Sequence, residues 1–381
     1  MKIIGNKSVS KRKFASKVKI PAIFIASILL IGALIPTTLT LFPGQLLNQV
    51  LADTVTGTDG DDNLEGSDND DDIEGKGGDD RIDSKGGNDR NTGDKNEGDG
   101  DGGDDNIDSG DGNDENIGDN QFGGGNGGDD NIDSGDGFDF NTGDNFDGDG
   151  DGGDDVINSG DESDWNRGDN FFGDGDGGDD VINSGNGFDT NIGDNDDGNG
   201  NGGDDVINSG AEDDQNTGDN RCYGGDGGDD VINSGDGSDL NRGDNLNGNG
   251  DGGNDVINSE TGDDTNIGDN FNNFNGGGDG GDDVINSGTG DDTNIGDNDE
   301  GDGDGGDDVI KSGKGNDINF GDNRIDSGLS AGGNDKINAA QGDDELTGGG
   351  GADKFKCGSG VDTVTDFNEE EDKASGNCEI T

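Results

Sequence analysis

The chain has 381 residues, of which 85 are glycine and 93 are Asp or Glu, while only 22% are hydrophobic. Its net charge of −71 at pH 7 repels nucleic acids and anionic lipids and attracts cations, which excludes nucleic-acid binding. This composition also excludes an ordinary globular domain, because so little apolar surface cannot offset the entropy lost when the chain becomes ordered. A fold therefore needs another source of stability, and regular repetition with bound metal would supply it.

Residues 1–52 differ from the rest because they contain seven bases and no acid. Their basic stretch precedes an apolar run from Ile20 to Ile35, and a small residue, Ala52, offers a cleavage position. We interpret the segment as a cleaved signal peptide. The alternative is an uncleaved membrane anchor, because Pro36 ends the run well before Ala52 and apolar character resumes from Leu39 to Phe42. Both interpretations place the acidic region outside the membrane, since the bases mark the cytoplasmic side.

The rest of the chain is repetitive. The segment Gly-Gly-Asp-Asp-Val-Ile-Asn-Ser-Gly begins at residues 152, 177, 202 and 227, and related copies begin at 77, 102, 127, 252, 280, 305 and 332. The spacing is 25 residues seven times in succession, and extra residues then fall near Phe271–Asn275 and Arg324–Ser330. Insertions at one place in a repeat are typical of loops on one face of a solenoid.

Each 25-residue period contains two nine-residue units and a Gly-rich unit of seven, as in 178–186, 187–195 and 196–202. At the two ends the nine-residue unit repeats without the seven, which places Leu64, Ile73 and Ile82 nine residues apart. The sequence therefore divides into a leader (1–52), N-terminal nonapeptides (53–76), central 25-residue repeats (77–331), and C-terminal nonapeptides with a cap (332–381).

The nine-residue units resemble the repeats-in-toxin (RTX, hemolysin-type) calcium-binding nonapeptide, G-G-x-G-x-D-x-U-x with U a large apolar residue. The stretches 346–355 and 361–367 are also similar to the closing segment of that family. The resemblance covers roughly residues 57–370 and is looser in the middle, where the period is 25 residues. It implies an all-β chain folded as a parallel β-solenoid, a β-roll or right-handed β-helix, of about eleven coils with calcium ions in its turns.

Short strands such as 181–183 point one side chain inward and its neighbours outward. Stacking the coils then predicts one continuous inward apolar column, the isoleucine row: Ile82, Ile107, Ile132, Ile157, Ile182, Ile207, Ile232, Ile257, Ile285, Ile310 and Ile337.

The turns stack as well, and they carry aspartates. The first aspartate row is Asp80, Asp105, Asp130, Asp155, Asp180, Asp205, Asp230, Asp255, Asp283, Asp308 and Asp335. The second aspartate row is Asp89, Asp114, Asp139, Asp164, Asp189, Asp214, Asp239, Asp264, Asp292, Asp317 and Asp344, and the end repeats add Asp62, Asp71 and Asp353.

Like charges about 5 Å apart repel by roughly 3 kcal/mol at an effective dielectric near 20, so these rows would unfold the chain unless cations lie between successive carboxylates. Flexible, all-oxygen, carboxylate-rich sites suit calcium better than magnesium, and the absence of His disfavours transition metals. The sequence therefore predicts multiple Ca²⁺ ions bound by these aspartates.

The seven-residue insert is a further candidate site. Asp147, Asp149 and Asp151 match the opening of an EF-hand loop, but Asn158 stands where its twelfth residue, Glu, is expected. The alternative is a solvated Gly/Asp loop.

The second nonapeptide departs from the family pattern, because Asn stands where a large apolar residue is expected. This asparagine row is Asn91, Asn116, Asn141, Asn166, Asn191, Asn216, Asn241, Asn266, Asn294 and Asn319. We favour an inward ladder of amides hydrogen-bonded from coil to coil. The alternative turns the row to solvent, and the departure leaves open a flattened two-faced roll or a three-sided helix.

Three cysteines are compatible with an oxidising compartment. Cys357 and Cys378 lie close enough in sequence to form one disulfide, which leaves Cys222 over. The alternative is three unpaired thiols.

The sequence indicates no catalytic site, because the chain has no His, one Met and no nucleophile motif. The rare residues Trp165, Tyr223, Arg167 and Arg242 occupy variable repeat positions, which favours surface locations over a site. We therefore predict a secreted, non-enzymatic calcium-binding structural or surface-interaction protein that contacts calcium ions and a cell-surface or extracellular polymer. It would contact membrane only through an uncleaved leader. The alternatives are an ice- or mineral-binding solenoid and a non-catalytic accessory module of a polysaccharide-acting β-helix protein.

Overall fold

The computed structural model describes residues 54–381 except 97–99, 122–124, 147–149, 172–174, 197–199, 222–224, 247–249, 270–277, 298–299, 302, 324 and 327–331. The leader, Cys222, Tyr223, the insertion near Phe271–Asn275, and Asp147 and Asp149 lie outside the described residues.

The chain winds between two long parallel sheets and contributes strands to them alternately. Sheet A has 15 strands: β1 (Thr54–Thr56), β3 (Asp72–Lys76), β5 (Arg90–Asn96), β7 (Glu115–Gln121), β9 (Phe140–Phe146), β11 (Trp165–Phe171), β13 (Thr190–Asp196), β15 (Gln215–Arg221), β17 (Leu240–Leu246), β19 (Thr265–Ile267), β21 (Thr293–Ile295), β24 (Ile318–Phe320), β27 (Glu345–Thr347), β29 (Asp362–Val364) and β31 (Cys378–Ile380).

Sheet B has 14 strands: β2 (Asn63–Glu65), β4 (Arg81–Asp83), β6 (Asn106–Asp108), β8 (Asn131–Asp133), β10 (Val156–Asn158), β12 (Val181–Asn183), β14 (Val206–Asn208), β16 (Val231–Asp236), β18 (Val256–Thr261), β20 (Val284–Asn286), β23 (Val309–Lys314), β26 (Lys336–Gln341), β28 (Lys354–Lys356) and β30 (Lys373–Ser375). One further described pair, β22 (Glu300–Gly301) with β25 (Ile325–Asp326), forms a two-stranded sheet.

Each turn of the chain therefore contributes one strand to each of the two long sheets, which confirms the parallel β-solenoid. The strands pair in register, so that Val156 lies opposite Val181 and Ile157 opposite Ile182. Successive turns consequently place equivalent residues beside one another, as the rows predicted from the sequence require.

The apolar core is the isoleucine row on the inner face of sheet B. All eleven predicted isoleucines are at most 1% exposed. At the ends the inner face of sheet A is apolar as well, through Ile73, Leu346 and Val364. The hydrophobic core is thus two side chains wide at the ends and one side chain wide in the middle.

The asparagine row fills the other inner face of the central coils, which confirms the inward ladder. All ten asparagines are buried, and in all but the last, Asn319, Nδ2 donates to Oδ1 of the next coil's asparagine, as between Asn191 and Asn216 at 2.9 Å. The same Nδ2 also donates to a buried serine of its own coil, Ser184 in this case, at 3.0 Å. Buried amides are satisfied in this way, which is what makes their burial tolerable.

The predicted pairing of Cys357 with Cys378 is confirmed, since the two residues form a disulfide that joins β31 to the segment after β28. Within the part of the chain that the structure describes, no helix is long and apolar enough to span a bilayer.

Candidate metal centres

The first aspartate row lies where the chain enters each strand of sheet B. Asp180, which immediately precedes β12, is 1% exposed, and its Oδ1 accepts the backbone N–H of Asp155 at 2.7 Å. Its Oδ2 is also buried and accepts no hydrogen bond from the described residues. The same pair of features recurs at Asp155 and Asp205. Each carboxylate of this row thus presents one oxygen whose charge no protein donor compensates.

A third aspartate row faces the first, from the end of each central strand of sheet A. Its members are Asp94, Asp119, Asp144, Asp169, Asp194, Asp219, Asp244, Asp269, Asp297 and Asp322, all buried. Asp169 is typical: its Oδ2 accepts the N–H of Gly178 at 2.8 Å, while its Oδ1 has no donor among the described residues.

The sequence analysis did not assign this third row to the metal sites. A signal was present, because an Asp follows Gly in the second nonapeptide of every central repeat, as at Gly168-Asp169 and Gly193-Asp194. It was missed because the family pattern places its aspartate in the turn before a strand, whereas these aspartates lie near the ends of the strands of sheet A.

The two rows converge into clusters of three carboxylates. One oxygen from each of Asp169, Asp180 and Asp194 lies within 4.8 Å of the others, and all three residues are buried. Four further clusters are Asp80–Asp94–Asp105, Asp105–Asp119–Asp130, Asp144–Asp155–Asp169 and Asp194–Asp205–Asp219. Consecutive clusters share members such as Asp105 and Asp169, so the carboxylates form a continuous file along one edge of the roll.

The spacing fits a calcium ion. Calcium binds oxygen at about 2.3–2.6 Å, so two oxygens on the same ion are at most about 5 Å apart. The oxygens of Asp169, Asp180 and Asp194 satisfy this limit. These residues would hold the ion, which would supply positive charge to three buried carboxylates.

Glycine makes the close approach possible. A Cβ on Gly168 would overlap the carboxylate of Asp180, and one on Gly177 would overlap that of Asp194. Any larger residue at these two positions would push the carboxylates of one cluster apart, which explains why glycine is used there.

Electrostatics shows what the clusters cost without a cation. Burial raises the pKa of Asp155, Asp169 and Asp180 well above the ordinary aspartate value, and the neighbouring carboxylates raise it further. Nearer the two ends, burial raises the pKa of Asp105 and of Asp335 to about 9. The ion pairs Lys85–Glu65 and Arg90–Glu115 are both on the surface, and neither includes a member of the clusters.

The second aspartate row lies on the opposite edge of the roll, before each strand of sheet A. Asp189 is buried, its Oδ1 accepts the N–H of Asp164 at 2.9 Å, and its Oδ2 has no donor among the described residues. Burial raises the pKa of Asp189 to about 6, which is a smaller effect than at the clusters. None of the five clusters named above contains a member of this row. In these five clusters the structure thus brings the first row together with the third.

The aspartates of the end repeats accept hydrogen bonds from turns. Asp62 accepts from the N–H and hydroxyl of Thr58, and Asp71 accepts from the N–H and hydroxyl of Ser67. Asp353 is buried and accepts the N–H of Asp335 at 3.0 Å.

Comparison with known proteins agrees with this geometry. The description "RTX calcium-binding nonapeptide repeat (4 copies)" matches residues 52–90 and 329–364. The matched segments are the two ends, where the nonapeptide repeats without the seven-residue unit, and the predicted resemblance is confirmed there. No curated protein was found to match the chain.

Proposed function

We propose that this chain, which carries RTX calcium-binding repeats at both ends, is an extracellular calcium-binding structural protein whose solenoid folds when calcium binds. The observation that supports the proposal most strongly is the file of buried carboxylate clusters, such as Asp169, Asp180 and Asp194. The recurrence of the same acids in every central coil favours a structural role over a catalytic one, because a catalytic centre is a singular arrangement.

Folding and calcium binding are coupled in this proposal because the clusters form only when the two sheets stack. The unfolded chain keeps its carboxylates apart and hydrated, whereas the folded chain buries them beside one another. A divalent cation converts that repulsion into attraction, so the binding free energy becomes folding free energy. The core of the central coils, one isoleucine per coil, provides little apolar burial to replace it.

An extracellular location fits the expected affinity. Weak calcium sites of extracellular modules have dissociation constants of about 10⁻⁴–10⁻³ M. The calcium concentration of the cytosol is too low to occupy such sites. The leader in residues 1–52 would deliver the chain to that compartment, and the Cys357–Cys378 disulfide is of the kind that forms there.

The test is circular dichroism during calcium titration of the chelator-treated protein. We expect an expanded chain to gain β-structure at roughly 0.1–1 mM free calcium, and magnesium at the same concentration to do far less. A protein that is already rich in β-structure in excess chelator would contradict the coupling of folding to calcium.

Residue-level tests distinguish the aspartate rows. Asp180→Asn and Asp169→Asn should each lower the number of calcium ions bound, measured by isothermal titration calorimetry in the folded protein. Asp179→Asn is the matched control, since Asp179 is the exposed neighbour of Asp180. Equal losses in the control and in Asp180→Asn would contradict the assignment of the clusters.

We also propose calcium sites at the second aspartate row, in the turns that precede the strands of sheet A. The buried Oδ2 atoms of this row, as at Asp189 and Asp214, support the assignment. Asp189→Asn should then lower the stoichiometry as well, and an unchanged stoichiometry would confine calcium to the edge formed by the first and third rows.

A further inference from the structure

Among the residues whose exposure the structure describes, the exposed aromatic side chains are concentrated at one place on the solenoid. Phe138, Phe140, Trp165 and Phe188 are 41–51% exposed and belong to three successive coils. Together with Arg167 they form what we name the aromatic patch. Large apolar side chains grouped on the surface of so polar a chain mark a site of interaction.

The rings of the patch contact one another and are held by the sheet. Phe140 and Trp165 are paired residues of β9 and β11, with ring centroids 6.1 Å apart and planes inclined by 33°. Phe138 meets Phe140 edge to face at 5.0 Å. The backbone N–H groups of Phe140 and Trp165 both donate to the preceding coil at 2.9 Å, so two rings are anchored on a regular strand ladder. Binding of a ligand would therefore lose little entropy to the ordering of these two side chains.

Arg167 adds hydrogen-bonding capacity beside the rings. Its guanidinium carbon lies 5.2 Å from the centroid of the Trp165 ring, which is a cation–π distance. Its Nε is buried and donates to no acceptor among the described residues. Phe140, Asn141, Thr142, Trp165 and Arg167 together line a shallow cavity of about 120 Å³. Apolar ring faces and an unsatisfied donor group thus converge on one small concavity.

We infer that the aromatic patch binds an uncharged polysaccharide by stacking a pyranose unit against Phe140 and Trp165. A pyranose ring has C–H groups on its faces and hydroxyls around its rim. The C–H groups suit an aromatic face, and the hydroxyls accept hydrogen bonds from a guanidinium. A shallow cavity with a few placed polar groups is sufficient for this kind of ligand.

Charge and size exclude the other ligands that stack on aromatic rings. Nucleic acids and acidic polysaccharides are polyanions, which a protein of net charge −71 repels. A stable protein–protein interface takes about 800 Å² and roughly 20–30 residues from each partner, and five residues fall well short of that. An uncharged glycan needs neither a large area nor a basic surface.

The experiment uses intrinsic fluorescence of the full chain in excess calcium. Trp165 is the one tryptophan of the sequence, so its emission reports directly on the patch. The probes are cellohexaose, laminarihexaose and N-acetylchitohexaose, with heparin as the polyanionic comparison. We expect a saturable change in emission with at least one of the three uncharged probes and none with heparin. The inference is overturned by no change with any uncharged probe, or by a response to heparin alone.

Variants that retain the reporter sharpen the test. Phe140→Ala and Arg167→Gln should each weaken binding at least about tenfold, because each removes one side of the cavity. Ile318→Ala is the matched control, since Ile318 is an exposed apolar residue on the outer face of sheet A, several coils away. Unchanged affinity in both patch variants, or an equal loss in the control, would overturn the inference. Circular dichroism of each variant in calcium separates this outcome from a failure of calcium-induced folding.

Discussion

The two ends of the solenoid and its centre have the same backbone path but different interiors. In the end coils both inner faces are apolar, as with Ile337 and Leu346, or Phe355 and Val364. In the central coils one inner face is isoleucine and the other is asparagine, and a third aspartate row is buried at the edge. The ends are therefore stabilised mainly by hydrophobic burial and the centre by hydrogen bonds and, in the function proposed above, by cations.

The same fold can therefore be stabilised by an apolar or by an amide-filled inner face, as long as the strands of successive coils stay in register. Stacked amides replace stacked leucines because each asparagine satisfies its neighbour. The replacement lowers the apolar burial per coil, so the central coils depend more on bound ions than the ends do. Four predictions test this contrast.

The largest expected effect is a pH response of the chelator-treated protein. Burial raises the pKa of Asp114 to about 7 and that of Asp164 and Asp214 to about 8, from an ordinary value of 3.8. The folded state thus binds protons that the unfolded state releases. These aspartates weaken folding least below about pH 4. The free energy of unfolding of the calcium-free protein therefore falls as pH rises through 7–8. Circular dichroism should show β-structure appearing on acidification without calcium, and Trp165 emission should show that the central coils take part.

A response confined to the end coils, with the Trp165 emission unchanged between neutral and low pH, would contradict the prediction that carboxylate repulsion is what unfolds the centre. In saturating calcium the same titration should be flat down to the pH at which protons displace the ions.

The second prediction concerns the C-terminal cap, residues 332–381. Truncation after Asn323 removes Phe355, Leu346 and the disulfide, and it exposes the last central coil. We expect folding to be abolished or to require much more calcium, because a solenoid needs a closed end. Removal of residues 53–95 should shift the calcium midpoint only slightly. Equal shifts in the two truncations would show that the coils are energetically equivalent.

The third prediction compares the two faces of one strand in the centre. Ile207 is fully buried in β14, whereas its neighbour Val206 is partly exposed on the outer face. Ile207→Asp should disrupt β-structure in the coils on both sides, because it buries an uncompensated charge in the apolar column. Val206→Asp is the control and should leave the calcium midpoint, followed by circular dichroism, nearly unchanged. A similar midpoint for both variants would contradict the inward assignment of the isoleucine row.

The smallest effect is expected in the asparagine row. Asn216→Ala removes the acceptor for Asn191 and the donor to Asn241 and Ser209, leaving buried polar groups unsatisfied. Its cost should be about 2–4 kcal/mol, measured by denaturant unfolding in saturating calcium. Asn208→Ala is the matched control, because Asn208 belongs to a similar ladder on the partly exposed outer face and should cost at most about 0.5 kcal/mol. Equal costs would show that burial does not matter for the amide ladder.

Much of this arrangement could be predicted from the sequence because the repeat period places equivalent residues in rows. Ile182 and Asn191 were assigned to the interior, and Asp180 was assigned to a turn with a carboxylate pointing toward a cation. The assignment of strands to two long sheets required the structure itself. For example, strand β13 of sheet A runs through Gly193 and continues to Asp196. The periodicity of the side chains does not predict a strand of that length.

The sequence shows the third aspartate row as a repeated Gly-Asp pair, but it does not show that this row lies beside the first row. Asp169 and Asp180 are eleven residues apart and become neighbours only because the intervening segment returns the chain from sheet A to sheet B. The buried serines, Ser184 among them, were missed because a serine after Asn reads equally well as a turn residue. The contact between Trp165 and Phe140 similarly depends on the register between coils. The sequence shows that both residues occupy variable repeat positions, but it does not show that their rings meet.

The amide ladder also has a direction, and that direction has an evolutionary consequence. Each asparagine from Asn91 to Asn294 donates toward the C-terminal side and, after the first, accepts from the N-terminal side, so every central coil offers the same two contacts to its neighbours. Duplication or deletion of 25 codons in the gene would therefore add or remove one coil while both flanking coils kept their partners. Each such event changes the length of the molecule by about 4.8 Å, the spacing between strands. The length of this protein is thus a trait that can be altered in small, equal steps without redesign of either end.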